Sequence, residues 1–166
     1  MSPQTGLPHN NRDGGFAPLA LPSLMGADGK SLPELLDDLS ERSGLLGVSG
    51  LSGDVRDLEE AAAKGHLRAD LALNAFSASI KHYLGAYMAV LGGADVIVFT
   101  GGIGENSVRI RSRTLENLEW AGIRIDASKN ASAKGESRIS TDDSRVQVWV
   151  VPTNEEIVVA RQAAEA

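Results

Sequence analysis

The chain has 166 residues, enough for one domain with a real hydrophobic core and a short extension. Its 42% hydrophobic and 23% charged residues are ordinary for a globular protein, and a net charge of −6 with scattered Lys and Arg argues against a nucleic-acid surface. There is no cysteine, which excludes disulfides and thiolate metal sites, and every apolar run is too short to span a bilayer. Residues 1–15 carry neither the basic start nor the apolar stretch of a signal peptide, so the expectation is a cytoplasmic protein with no membrane partner and no nucleic-acid partner.

From Met1 to Pro22 the chain reads as irregular, because prolines, glycines and Asn10-Asn11 supply turn chemistry without an apolar period. Such a segment at a terminus is usually unstructured. Ser31 is an N-cap candidate, followed by Pro33 and Glu34 in a first turn and by Leu32, Leu35, Leu36 and Leu39 on an apolar face that stops near Gly44. A Gly/Ser-rich stretch follows, and Asp54 can cap a short helix through Leu58 to Ala63, with Gly65 as terminator. Leu67, Leu71, Phe76, Ile80, Leu84, Tyr87 and Leu91 then recur at helical spacing, which predicts one long helix with a single buried stripe, ended by Gly92-Gly93.

There the period changes. Val96-Ile97-Val98-Phe99 is short, apolar and β-branched, and predicts a strand buried on both faces. Six residues, Gly101 to Asn106, separate it from an amphipathic helix carrying Val108, Ile110, Leu115, Leu118 and Trp120. A brief strand is expected at Ile123–Ile125, a solvated loop over 126–137, and a second strong strand containing Val146, Val148 and Val150. Pro152 ends that strand, and Asn154 caps a last helix from Glu155 to about Ala164. Strands alternating with helices argue for an α/β layered domain.

Three short segments carry candidate chemistry. In Gly101-Gly102-Ile103-Gly104-Glu105-Asn106, the glycines let the backbone approach a flat or charged ligand, and strand ends of open α/β sheets are where ligands sit. A tight strand–helix reversal would use the same glycines. The pattern is neither the dinucleotide GxGxxG nor a P-loop, since no lysine follows. In Ser52-Gly53-Asp54-Val55-Arg56-Asp57, the Asp and Arg can meet a ribose hydroxyl and a phosphate, or be an N-cap and a solvent-facing arginine. In Val151-Pro152-Thr153-Asn154-Glu155-Glu156, a first-turn carboxylate can ligate Mg²⁺ or simply complement the helix dipole. Arg12, in a Gly/Asn-rich loop, can clamp a phosphate if it is ordered. His9, His66 and His82 share no metal-ligand spacing.

Taken together and in chain order, MSPQTGLPHNNR, SGLLGVSGLSGDVRDLEEA, LALNAFSASIKHYLGAYMAVLGGAD, VIVFTGGIGENS and VVPTNEEIVVARQ resemble the acetate kinase family over essentially the whole chain. The resemblance implies an incomplete ribonuclease-H-like α/β lobe of the acetate and sugar kinase, Hsp70 and actin superfamily, with residues 1–30 as an irregular segment and 31–166 as the carboxy-terminal nucleotide-binding lobe. It implies reversible transfer of the ATP γ-phosphoryl to acetate, giving acetyl phosphate and ADP, with ATP/ADP and Mg²⁺ as cofactors. By the same resemblance, Gly102, Ile103, Gly104, Glu105 and Asn106 run along the adenosine, Asp54, Val55 and Arg56 border the nucleotide, Glu155 belongs to the magnesium site, and Arg12 is the catalytic arginine. Phosphoryl transfer is catalysed mostly by positioning and by neutralising charge on the equatorial oxygens, which suits arginine and Mg²⁺.

The chain departs from the family pattern after Arg12, where Gly15 and Ala17 replace two acidic positions. It is also much shorter than the family, and Met1 falls inside a family motif. The expectation is that the partner of this lobe is the amino-terminal lobe of the same enzyme, that the lobe forms a homodimer, and that it is inactive alone. Propionate or butyrate kinase, or a non-catalytic nucleotide-binding or dimerisation remnant, are the alternatives.

Overall fold

The computed structural model describes residues 6–153, together with Ile157 and Ala163. The chain divides into two compact units, Met1–Ala86 and Tyr87–Ala166.

In the first unit the structure adds a helix, α1 (Leu21–Asp28), ended by Gly29 in the left-handed conformation. Next comes α2 (Leu32–Glu41), whose start follows the sequence expectation. The Glu34 carboxylate accepts hydrogen bonds from the Ser31 amide at 2.8 Å and the Ser31 hydroxyl at 2.7 Å. The Gly/Ser-rich stretch is not a loop throughout, because Gly44–Ser49 forms a short helix, α3. Then α4 (Val55–Ala63) starts on Asp54, whose side chain accepts from the Arg56 amide. The long helix α5 (Leu67–Leu91) has the expected bounds, but of the expected stripe only Phe76 is fully buried. Ala69, Ala72, Leu73, Phe76 and Ser77 are buried, whereas Leu67, Leu71, Tyr87 and Leu91 are exposed. Small side chains allow close packing on the alanine side, which a search for large residues overlooks. Leu35, Leu45, Val55 and Leu58 complete this core.

In the second unit β1 (Val96–Phe99) leads into α6 (Gly101–Asn106), so the six residues between strand and helix are themselves a helical turn. After Ser107 comes α7 (Val108–Leu115). It ends well before Trp120, where Glu116 turns to an extended ψ of 134° and Asn117 takes positive φ, and Trp120 is exposed on the following 3-10 turn. The segment expected as a loop holds α8 (Ala127–Ser132), capped by Asp126, which accepts from the Ser128 and Lys129 amides. Ile123 and Ile125 form isolated bridges rather than a strand of their own.

The sheet has the order β1-β3-β2, with β3 (Gln147–Val150) central, parallel to β1 and antiparallel to β2 (Ser137–Arg138). Val148 and Val150 are buried, with Val146 just before them, as their alternation predicts. The expectation of a doubly buried β1 fails. Val96 and Val98 are about half exposed, because they share the sheet face of Gln147 and Trp149, which is also uncovered on the central strand β3. No helix among the described residues is long and apolar enough to cross a membrane.

Candidate nucleotide site

The irregular amino-terminal segment is tied down by its backbone. The carbonyl groups of His9, Asn10 and Asn11 accept the amides of Leu45, Leu46 and Ser43 at 2.8–2.9 Å, and the Asp13 amide donates to the Leu39 carbonyl. Thus the turn that carries Arg12 is seated on the end of α2 and the start of α3. This seating explains two glycines. Gly44 has φ +60, and a Cβ there would fall on the carbonyl oxygens of His9 and Arg12. A Cβ at Gly53 would lie 2.6 Å from the Asn10 carbonyl oxygen. The Arg12 turn and the Ser52-Gly53-Asp54 turn are therefore packed against each other.

Within that second turn, Asp54 does several jobs at once. One carboxylate oxygen accepts from the Arg56 amide at 2.8 Å and Nε at 3.1 Å, while the other accepts from Nη2 at 2.6 Å. The Arg56 guanidinium and amide hold the Asp54 carboxyl down to about 2. Asp54 is thus the N-cap that the simpler sequence reading offered. Arg56, 86% exposed in its side chain, keeps further donors facing solvent. Val55 buries its side chain in the core, which leaves only its backbone to face a ligand.

The other candidate segment lies in the second unit, at the carboxyl ends of β1 and β3. These strands run in parallel register, with Phe99 opposite Val150, so the turns after them emerge side by side. Glu105 ties them together. Its carboxylate accepts from the Thr153 amide at 2.9 Å, with the Thr153 hydroxyl 3.4 Å from the same oxygen. Asn106 donates from its side chain to the Gly102 carbonyl at 2.8 Å. The glycines differ in purpose. A Cβ at Gly104 would meet the Phe99 carbonyl carbon at 3.3 Å, so close approach there is to the protein's own strand. Gly102 is exposed, with nothing within 4 Å of an added Cβ, and this is the open side of the turn.

Sequence reasoning missed the side chain that grips this turn from behind. Arg111 is 1% exposed, and its Nη1 donates to the carbonyls of Gly104 at 2.9 Å and Glu105 at 2.8 Å. Its Nε and Nη2 donate to the side-chain and backbone oxygens of Asn130. The available signal was its position, one residue after Ile110 and four before Leu115, where the buried face of α7 calls for an apolar side chain. Glu155 and the last-helix cap Asn154 lie outside the described residues. Among the described residues no group of three His, Asp or Glu side chains is placed to hold a metal ion.

The acetokinase family profile matches residues 1–161. The chain belongs to the acetokinase family. It is 47% identical over 163 residues to the acetate kinase of Natranaerobius thermophilus, covering 98% of this chain and 41% of that protein. Among solved structures, the acetate kinase of Porphyromonas gingivalis is 42% identical with a TM-score of 0.90, over 98% of this chain and 41% of that one. A propionate kinase from Francisella tularensis is 34% identical with a TM-score of 0.86, over 96% and 40%. The chain thus spans about two fifths of the length of the acetokinase relatives it matches. The α/β fold is that of part of these kinases, and with them of the acetate and sugar kinase, Hsp70 and actin superfamily.

Proposed function

We propose that the chain supplies the nucleotide side of an acetate kinase, a phosphotransferase moving the ATP γ-phosphoryl reversibly to the acetate carboxylate. The observation that carries this is the pair of turns at the ends of β1 and β3, bound by Glu105 and Thr153, in a chain matched by the acetokinase profile from residue 1 to 161. In this reading the adenosine lies along Gly102, Ile103, Gly104, Glu105 and Asn106 on the open side at Gly102. Asp54, the Val55 backbone and Arg56 border the nucleotide. Arg12, on its seated turn, neutralises charge on the transferring phosphoryl. Mg²⁺ accompanies the nucleotide, with Glu155 its carboxylate, and supplies charge neutralisation on the phosphates when bound. The enzyme would work in the cytoplasm as a homodimer, with the remaining part of the acetokinase chain as the lobe that completes the site.

Calorimetry with ADP tests the turn. Gly102→Val should weaken binding about tenfold or more, since it places a branched side chain in open space without disturbing the fold. Equal affinity moves the nucleotide elsewhere. Hydroxamate trapping with ATP, Mg²⁺ and acetate tests the activity. The 166-residue chain alone should form no acetyl phosphate, whereas a fusion to the amino-terminal portion of a relative should. Arg12→Ala in that fusion should lose roughly 10³-fold in kcat, by the usual worth of a phosphoryl-clamping arginine. Unchanged turnover would remove Arg12 from the chemistry. A second reading, propionate kinase, is favoured by the Francisella structure alone, and faster turnover of propionate than acetate by the fusion would establish it.

A further inference from the structure

We propose that Arg111 is the positioning residue of the nucleotide turn, with Asn130 as its anchor. This rests on the reading that α6 takes the adenosine. A six-residue helix leaves its last carbonyl groups without helical partners, and here one guanidinium nitrogen takes those of both Gly104 and Glu105. The guanidinium also donates to Asn130 in α8, at 2.6 Å from Nε to Oδ1 and 2.9 Å from Nη2 to the carbonyl. Asn130 is in turn fixed by donating to the Val108 carbonyl at 3.1 Å and the Ser112 hydroxyl at 2.8 Å. The chain of bonds therefore runs from α8, through the arginine, to the back of the turn whose open side is Gly102.

Filling space does not account for this residue. An apolar side chain of similar volume would fill the same space but would leave the oxygens of Gly104, Glu105 and Asn130 without this donor, so it is no equivalent replacement. What an apolar side chain cannot do is hold two successive carbonyls at a set distance from a third element. A planar guanidinium can, because its donors diverge in a fixed fork. Arg111 touches the backbone of the turn rather than the ligand side, so its effect on a nucleotide passes through the position of residues 102–106.

Arg111→Met, which keeps volume and removes the fork, tests this on the whole 166-residue chain, with amide exchange and ADP calorimetry read together. The expected result is selective loss of protection over 101–107, preserved protection in β1 and β3, and about tenfold or greater loss of ADP affinity. Unchanged exchange and affinity would overturn the proposal. Loosening of β1 and β3 along with the turn would also overturn it, by making Arg111 an ordinary core residue. Should Arg111→Met fail to fold, Asn130→Ser must show the same selective pattern at smaller amplitude, and its absence overturns the proposal. If the wild-type chain binds no ADP while the selective loosening is still seen, the hold on the turn is supported and the nucleotide reading is what falls.

Discussion

The Glu105 carboxylate accepts the backbone amide of Thr153 at 2.9 Å, joining the turn after β1 to the turn after β3 across 48 positions of sequence. The bond makes the two strand ends one surface, and it brings Thr153 up to the glycine turn. Glu105→Ala should release it and raise the exchange rate of the Thr153 amide roughly tenfold, whereas Glu105→Gln keeps an acceptor oxygen and should stay within about twofold. Equal rates in all three chains would mean that the bond is not held in solution.

Asp54 predicts a pH dependence whose sign follows from its hydrogen bonds. Its folded value of about 2 lies below the ordinary 3.8, with the Arg56 side chain as the largest cause. A depressed carboxyl contributes stability that is fully present above its unfolded value and is lost as pH falls through the folded one. Asp54→Asn keeps the capping oxygen but not the charge. The gap in unfolding midpoint between wild type and Asp54→Asn should therefore be constant above about pH 5 and shrink between about pH 5 and 2. A gap that stays level through that range would contradict the pairing.

Gly44 and Gly50 form a matched pair of tests. Both have positive φ, at +60 and +65, but only Gly44 has a backbone in the way, that of His9 and Arg12. Gly50→Ala should cost about 1 kcal/mol for its conformation alone. Gly44→Ala should cost about 2–4 kcal/mol, because the Arg12 turn must also move. Urea unfolding measures both, and equal losses would show that the seating of that turn carries no energy.

The second unit leaves large apolar side chains in water. Tyr87, Val90 and Leu91 at the end of α5 are well exposed, as are Val96 and Val98 on the edge strand β1. An exposed edge with apolar side chains is a template for association. Light scattering of the chain should show dimers or larger species. A monomer of 17.4 kDa with little hydrophobic-dye binding would refute this.

What the sequence determined by itself is local. Ser31 with Glu34, Asp54 before α4, Gly92-Gly93 after α5, and the β-branched runs at 96–99 and 146–150 each state their structure through nearby hydrogen bonds or through side-chain period. The ordered motifs also marked the family, because their residue types recur in order along the chain. Tertiary structure decided what depends on distant partners. Composition made residues 6–15 look unanchored, but amides from α3 and its approach, some 30 positions later, hold them. Leu71 and Ala72 are neighbours in sequence, yet only the alanine is buried, since packing rewards close approach as much as size. Val96 and Val98 stay half exposed because what packs on each sheet face, not side-chain type, decides burial, and their face is the one that also leaves Gln147 exposed. And the partners of Arg111 are not legible in the sequence, for a buried cation is defined by the acceptors the fold brings to it, here from α8 and the end of α6.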